Sequence, residues 1–175
     1  DNWVQDPEEG GGRIIGEVCH FVDFLQYIIN SQPARVYATN TVSLDRCGDS
    51  DNVLITINFK DGSLGNIGYF ANGDKSFPKE RVEIFGNNSV AVISDFNRGE
   101  IVTKGKRKKI NGKFLGGQDK GHRGELEAFV QAVKTGGEMP IPFQEIVMTT
   151  LTTFKMLESI QKGTPVEITF EILNL

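Results

Sequence analysis

The segment from Gly10 to Asp23 (GGGRIIGEVCHFVD) concentrates the side chains of this 175-residue sequence that could do acid–base chemistry. His20 stands three residues after Glu17 and three before Asp23, so on a helix both carboxylates fall about one turn from the imidazole. A histidine titrates at about pH 6.5, and a neighbouring acid orients the ring and favours its charged form. His20 could therefore be a general base or proton shuttle, or a core histidine with Asp23 as its hydrogen-bond partner.

Two other features of this segment could bind a ligand. The glycines ahead of the helix could leave backbone amides free for an anion, although a flexible entrance lying close to another backbone is the simpler interpretation. A metal site is not predicted, because the sequence has only two histidines, His20 and His122, and Cys19 points away from the side of the helix that holds Glu17 and His20.

Polar side chains also cluster in three later segments. Lys75, Lys79 and Arg81 follow a predicted strand and could contact a substrate, although loops are polar in any case. His122 belongs to a charged stretch around a helix start, where a capped and solvated first turn is the alternative to a binding role. The basic run 104–109 (KGKRKK) could attract a phosphate-bearing substrate, or it could be a charged hairpin edge that blocks strand pairing.

The elements that must position these side chains can be predicted from periodicity. Apolar residues recur every three or four positions over 14–29, which predicts a helix that ends at the turn residues 30–33. Alternating, β-branched segments predict hairpins joined at 60–63, at 87–88 and around Gly105. Two helices and a strand follow. The first helix has an apolar stripe at Leu126, Phe129, Val130 and Val133. The second is predicted over 143–162, with an inward face formed by Phe143, Val147, Leu151, Phe154, Leu157 and Ile160, and the strand is predicted over 166–173.

This order of elements predicts an α+β fold, an open and mainly antiparallel β-sheet with helices packed on one face. The pattern contains no linker or internal repeat, so residues 1–175 are predicted to form a single domain. The other face of the sheet must be covered or wet, and a homo-oligomer, a dimer in the simplest case, could cover it.

Composition narrows the class of protein. The formal net charge of −4 argues against a nucleic-acid partner, and no apolar run approaches the roughly 20 residues of a membrane helix. The polar, acidic start is unlike a signal peptide, and two cysteines fit a reducing compartment, so a cytoplasmic protein is expected. Because the chain begins at Asp1, we expect a piece of a longer protein.

No P-loop and no strand–GxGxxG–helix unit is found, so no cofactor-binding residue is predicted in this chain. Instead, the glycine-rich entrance, the histidine-bearing helix, and the segments ERVEIFGNNSVAVI, GHRGELEAFVQAVKTG and ESIQKGTPVEI occur in a familiar order. Together they resemble the C-terminal domain of the glucose–fructose oxidoreductase / inositol 2-dehydrogenase / MocA (Gfo/Idh/MocA) family over nearly the whole chain.

The resemblance implies a dihydrodipicolinate-reductase-like C-terminal domain that shapes a substrate pocket and mediates oligomerisation. Family members are NAD(P)-dependent oxidoreductases of sugars, nucleotide-sugars or polyols, and their N-terminal Rossmann domain, absent here, binds NAD or NADP and provides a catalytic lysine. His20 matches the family histidine, whereas Gly16 stands where an aspartate is usual and Glu17 is its neighbour.

On this basis His20 is the predicted catalytic residue. Substrate contacts are predicted for Glu17, Lys75, Lys79, Arg81 and His122. By itself the chain is expected neither to bind NAD nor to turn over substrate. The alternative is a non-catalytic α+β assembly or carbohydrate-binding module.

Overall fold

The computed structural model describes residues 11–41, 52–111 and 121–170. The chain divides into two compact units, one formed by Asp1–Asn72 with Glu138–Leu175 and the other by Gly73–Gly137. In chain order the described elements are a π-helical turn (Ile14–Val18), α1 (Cys19–Ile29), β1 (Pro33–Asn40), β2 (Asn52–Phe59), β3 (Leu64–Phe70), β4 (Arg81–Gly86), β5 (Ser89–Ser94), β6 (Arg98–Thr103), β7 (Lys106–Asn111), α2 (His122–Thr135), α3 (Phe143–Lys162) and β8 (Val166–Glu167).

The helical segment predicted over 14–29 is present as the π-helical turn (Ile14–Val18) followed by α1, and it ends where the sequence predicts. Val18, Val22 and Gln26 are buried at intervals of four residues, which is the stripe of a helix facing a core. Asn30 then takes a left-handed conformation at φ 55°, and its backbone N–H donates to the Gln26 carbonyl at 2.8 Å. Asparagine tolerates this conformation well, so the helix ends there.

The first unit contains a four-stranded antiparallel sheet in the order β3-β2-β1-β8. Alternate residues of β2 are buried, and with α1 and α3 they form one core on one face of the sheet. The prediction of an α+β fold with helices on one face of an antiparallel sheet is confirmed. The buried members of the core are Val18, Val22, Val36, Ala38, Val53, Ile55, Ile57, Phe59, Ile67, Met148, Met156 and Ile168.

The second unit contains a four-stranded meander in the order β4-β5-β6-β7 and the helix α2. Two of its hairpin turns have positive φ at both central residues: Asn87 and Asn88 (47° and 56°), and Lys104 and Gly105 (49° and 69°). This is the signature of the two-residue type I′ turn, so both predicted hairpins are confirmed. The division of the strands between two sheets was not predicted, because tight turns specify hairpins and not which hairpins share a sheet.

On α3 the predicted inward face is partly wrong. Phe143 and Phe154 are 76% and 49% exposed, whereas Met148 and Met156 are fully buried with Thr152, Thr153 and Ser159. The buried hydroxyls bond to backbone carbonyls, for example Thr152 Oγ1 to the Met148 carbonyl at 2.7 Å. Because that bond satisfies the hydroxyl, a face rich in small polar residues can pack against β1.

Two further expectations differ from the structure. β8 has only two residues where a strand over 166–173 is predicted, and 171–173 lie outside the described residues. The stripe of α2 is exposed, with Leu126 at 64% and Val133 at 62%. Among the helices of the described residues, none is long and apolar enough to cross a membrane.

Candidate functional site

The candidate site begins at the π-helical turn, which places an extra residue in the helix just before His20. The chain enters this turn through Gly11 and Gly12, both at positive φ (68° and 81°). Residues with a side chain rarely adopt this conformation, and a Cβ on Gly11 would also come 2.9 Å from the Ile15 Cδ1, which would have to shift. The glycines therefore permit a close entry to the helix.

His20 lies in the first turn of α1 with its side chain exposed. The interpretation of His20 as a core histidine bonded to Asp23 is therefore wrong. Asp23 is exposed as well, Glu17 is half-buried within the π-helical turn, and within the described residues no hydrogen bond joins either carboxylate to the imidazole. The ring is thus open to an added ligand.

Cys19 shows the electrostatic character of this turn. Burial is the main factor that raises the pKa of its thiol, and the negative charges of Glu17 and Asp23 raise it further. A backbone hydrogen bond at His20 opposes these effects. The thiol therefore stays protonated at neutral pH, which argues against a nucleophilic role for Cys19.

Residues of β3 support the helix from the sheet. Arg13 Nη1 donates to the Tyr69 hydroxyl at 3.3 Å, and the Phe21 ring meets the Tyr69 ring edge-on, with 6.5 Å between centroids. Arg13 and Tyr69 are not among the residues predicted from the sequence for this site. The signal available was an arginine within the glycine-rich entrance, but the contact spans 56 positions and no local pattern reveals it.

A buried amide fixes α1 against α3. The Gln26 side chain is 5% exposed, and its Nε2 donates to Thr149 Oγ1 at 2.6 Å and to the Glu145 carbonyl at 3.5 Å. The Nε2 side of the amide is thus satisfied by α3, whereas Oε1 is buried with no hydrogen-bond partner among the described residues. The bond to Thr149 ties the two helices together at this point. Gln26 lies on the helix that bears His20, so it also helps to hold the imidazole in place.

Three of the predicted substrate contacts, Lys75, Lys79 and Arg81, belong to the second unit and are exposed. Lys79 Nζ lies 3.5 Å from a carboxylate oxygen of Glu80, and Arg81 Nε donates to the Glu83 carboxylate at 3.0 Å. Lys79 and Arg81 are close in sequence at the start of β4, whereas Lys75 lies in the preceding loop. Their ion pairs are surface pairs, which contribute little to stability.

His122 is exposed as the first residue of α2. The residue before it, Gly121, has φ 76°, and its carbonyl accepts from the Glu125 backbone N–H at 3.0 Å. The sequence also offers Asp119 as a cap near this helix start, and that residue lies outside the described residues. His20 and Glu17 thus belong to the first unit and His122 to the second.

Metal and dinucleotide sites have recognisable arrangements of side chains and strands. In 11–41, 52–111 and 121–170, no three histidine, cysteine, aspartate or glutamate side chains come together as metal ligands. All strand pairs within the same ranges are antiparallel, whereas a dinucleotide-binding βαβ unit requires parallel strands. These residues do not form a dinucleotide site of that kind.

Comparison with known proteins gives a family. Residues 1–168 match the model of the oxidoreductase family, C-terminal alpha/beta domain. No curated protein matches the sequence.

Solved structures share the fold at low sequence identity. An oxidoreductase domain protein from Kribbella flavida has a TM-score of 0.80 at 18% identity, covering 97% of this chain and 54% of its own. The aldose–aldose oxidoreductase from Caulobacter crescentus, complexed with glycerol, has a TM-score of 0.79 at 12% sequence identity. The match covers 95% of this chain and 51% of that protein. A levoglucosan dehydrogenase complexed with NADH and levoglucosan has a TM-score of 0.79 at 17% sequence identity. The match covers 97% of this chain and 54% of that protein. The chain therefore spans about half the length of these proteins.

Proposed function

Because the chain belongs to the Gfo/Idh/MocA oxidoreductase family as a C-terminal alpha/beta domain, we propose that it is the substrate-binding and oligomerisation domain of an NAD(P)-dependent oxidoreductase. Its substrate is a sugar, nucleotide-sugar or polyol. The similar structures with glycerol or levoglucosan bound support this class. We also propose a cytoplasmic location, on the basis of the cysteine content.

The observation that carries the proposal is the exposed imidazole of His20, placed directly after a π-helical turn. Such turns occur frequently at functional sites, because the extra residue changes the direction of the side chains that follow. An exposed imidazole can accept a hydrogen bond from a substrate hydroxyl and hold its proton at a ring nitrogen. Glu17, half-buried in the same turn, is the proposed second contact with the substrate hydroxyls.

The cofactor is proposed to lie mainly in another part of the full-length protein. NAD or NADP supplies or accepts the hydride when bound. A chain of half the length of its structural relatives is consistent with a second, cofactor-binding half. The exposed apolar stripe of α2 also supports a further packing partner.

The role in oligomerisation is proposed for the face of the first sheet that the helices leave open. This face carries four large apolar side chains that are between 39% and 63% exposed, those of Tyr37, Leu54, Leu64 and Phe70. The Phe70 ring lies over Gly68, where a Cβ would come 2.8 Å from Phe70 Cε2 and 3.5 Å from Leu54 Cδ2. An apolar patch within a polar surround is the usual anatomy of a subunit interface.

The test uses the full-length protein, with a panel of sugars and polyols and both nicotinamide cofactors. We expect His20→Ala to lower kcat/KM by roughly 100-fold or more, the usual contribution of a positioned acid–base group. Tyr27→Ala is the matched control, because Tyr27 is 82% exposed two turns further along the same helix face. Its kcat/KM should remain close to the wild-type value.

Two outcomes contradict the proposal. Wild-type turnover by His20→Ala would remove the catalytic role of His20. Failure of the full-length protein to oxidise or reduce any member of the panel would favour the alternative, a non-catalytic assembly or carbohydrate-binding module.

A further inference from the structure

One face of the second sheet (β4-β5-β6-β7) carries a depression of about 790 Å³ that the proposed function does not use. It lies wholly within the second unit. Its polar and charged lining consists of Arg81, Ser94, Asn97, Arg98, Glu100 and Lys109.

Strand register explains why these side chains share a face. Arg81 pairs with Ser94, and Ser94 pairs with Arg98 across β4, β5 and β6. In the next row of the same face, Glu100 pairs with Lys109 across β6 and β7. Residues directly opposite each other in an antiparallel pair project to the same side, so the depression is built by the regular sheet.

The lining is positively charged on an acidic protein. Its three cations and one carboxylate give a net charge of +2, against −4 for the whole chain. Both nearby carboxylates already have a cationic neighbour: Glu83 accepts from Arg81, and Glu100 Oε1 lies 3.1 Å from Arg107 Nε, although it accepts no hydrogen bond from the described residues. In the described residues no carboxylate forms an ion pair with Arg98 or Lys109.

Protection of a sheet edge does not account for this arrangement. Lysines on an edge strand discourage unwanted pairing, which explains the cations of β7. Arg98, however, lies on the inner strand β6, and Arg81 lies on β4 at the opposite edge. The two arginines stand one on each side of Ser94, about 10 Å apart between Cα atoms. Arg81 is already paired with Glu83, so Arg98 is the arginine of this row that an anion would meet without displacing a carboxylate.

We propose that this face of the second sheet binds a small molecule with at least two negative charges, carried by phosphate or carboxylate groups. Arg98 and Lys109 supply the unpaired positive charge, and guanidinium groups match the geometry of both anions. The Ser94 hydroxyl and the Asn97 amide supply neutral hydrogen-bond donors beside them. The proposal depends on neither His20 nor Glu17, the two residues given a role in the proposed function; of its lining, only Arg81 was also predicted to contact the substrate.

The test is calorimetric titration of the 175-residue chain with sodium pyrophosphate and, separately, with sodium citrate. Low ionic strength is used because salt screens exposed charges. The site variant is R98Q/K109Q. The matched control is K106Q/K108Q, which removes the same amount of charge from β7, the strand that also carries Lys109, but from the opposite face of the sheet. Amide NMR spectra of both variants establish that the second sheet remains folded.

We expect at least one of the two probes to bind, with a Kd that rises about tenfold or more in R98Q/K109Q and less than about threefold in the control. The stronger probe identifies phosphate or carboxylate as the preferred group. Equal losses in both variants would overturn the proposal, because the attraction would then depend on overall charge. Absence of binding by both probes would also overturn it. If R98Q/K109Q does not fold, the single variants Arg98→Gln and Lys109→Gln are compared with Lys108→Gln on the same criterion.

Discussion

Ser159 provides the sharpest test of how the first unit is held together. β8 pairs with β1 only at Arg35 and Val36, although the same register would place Thr164 opposite Ala38. At that point the Ser159 hydroxyl takes the place of the missing backbone hydrogen bond between the two segments. It accepts from the Ala38 backbone N–H at 3.0 Å and donates to the Thr164 carbonyl at 2.8 Å. A side chain of α3 thus completes the hydrogen bonding of the sheet.

Ser159→Ala removes both bonds at a fully buried position. The Ala38 N–H and the Thr164 carbonyl then lose their partner, and each unsatisfied buried group costs about 1–3 kcal/mol. The Thr164 carbonyl is nearer the surface and can recover part of that by hydration. We therefore expect the free energy of unfolding to fall by about 2–4 kcal/mol, with an unchanged denaturant m value.

The assay is urea denaturation, with Thr152→Val as the control. Thr152 is equally buried, but its hydroxyl bonds only to the Met148 carbonyl within α3. That carbonyl keeps its helical backbone bond, so the control should lose only about 1 kcal/mol. Hydrogen exchange at the Ala38 amide should accelerate in Ser159→Ala alone. A loss in Ser159→Ala no larger than that in the control would refute the bridging role.

Three other perturbations have defined outcomes. Hydrogen bonds from Lys155 and Lys162 lower the pKa of Glu158 to about 2. The ionised Glu158 carboxylate therefore stabilises the folded state fully above pH 4.5, the pKa of the group in the unfolded chain, and this stabilisation disappears as the pH falls towards 2. We expect the small Tm advantage of wild type over Glu158→Gln to vanish at that low pH. Asn88→Val should destabilise the second unit by about 1–2 kcal/mol because φ is 56°, whereas Asn88→Gly should not, as measured by thermal unfolding. Leu54→Lys should convert the proposed oligomer to a monomer, as measured by size-exclusion chromatography with light scattering. An unchanged mass would exclude the open face of the first sheet as the subunit interface.

The elements that depend on local chemistry could be predicted from the sequence. The bounds of β2, β4 and α3 agree with the alternation, turn residues and apolar period of those segments. The turn at Asn87 and Asn88 is an example, because asparagine enters the left-handed region more easily than most residues. Such information is local, so a single sequence is sufficient.

Packing could be predicted less well, because it depends on contacts distant in the chain. The pattern of α3 contains large apolar residues on two sides, and periodicity favours the side with Phe143 and Phe154. The side that packs holds Thr152 and Ser159, whose hydroxyls are satisfied by carbonyls. Small side chains allow α3 to approach β1 closely. A hydrophobicity pattern counts these threonine and serine residues as polar, so it does not predict that they face the core.

The candidate site shows the same limit and what the structure adds to it. The sequence could place Glu17 and His20 about one turn apart, but only on a regular helix. The structure instead puts Glu17 in a π-helical turn and His20 in α1, with Gly16 exposed between the glycine-rich entrance and the imidazole. Where relatives are expected to carry an aspartate, this chain thus has open space beside an exposed histidine. The proposed contacts with the substrate hydroxyls therefore depend on His20 and Glu17 and not on residue 16. Glu17 can share the role only if its half-buried side chain turns towards solvent.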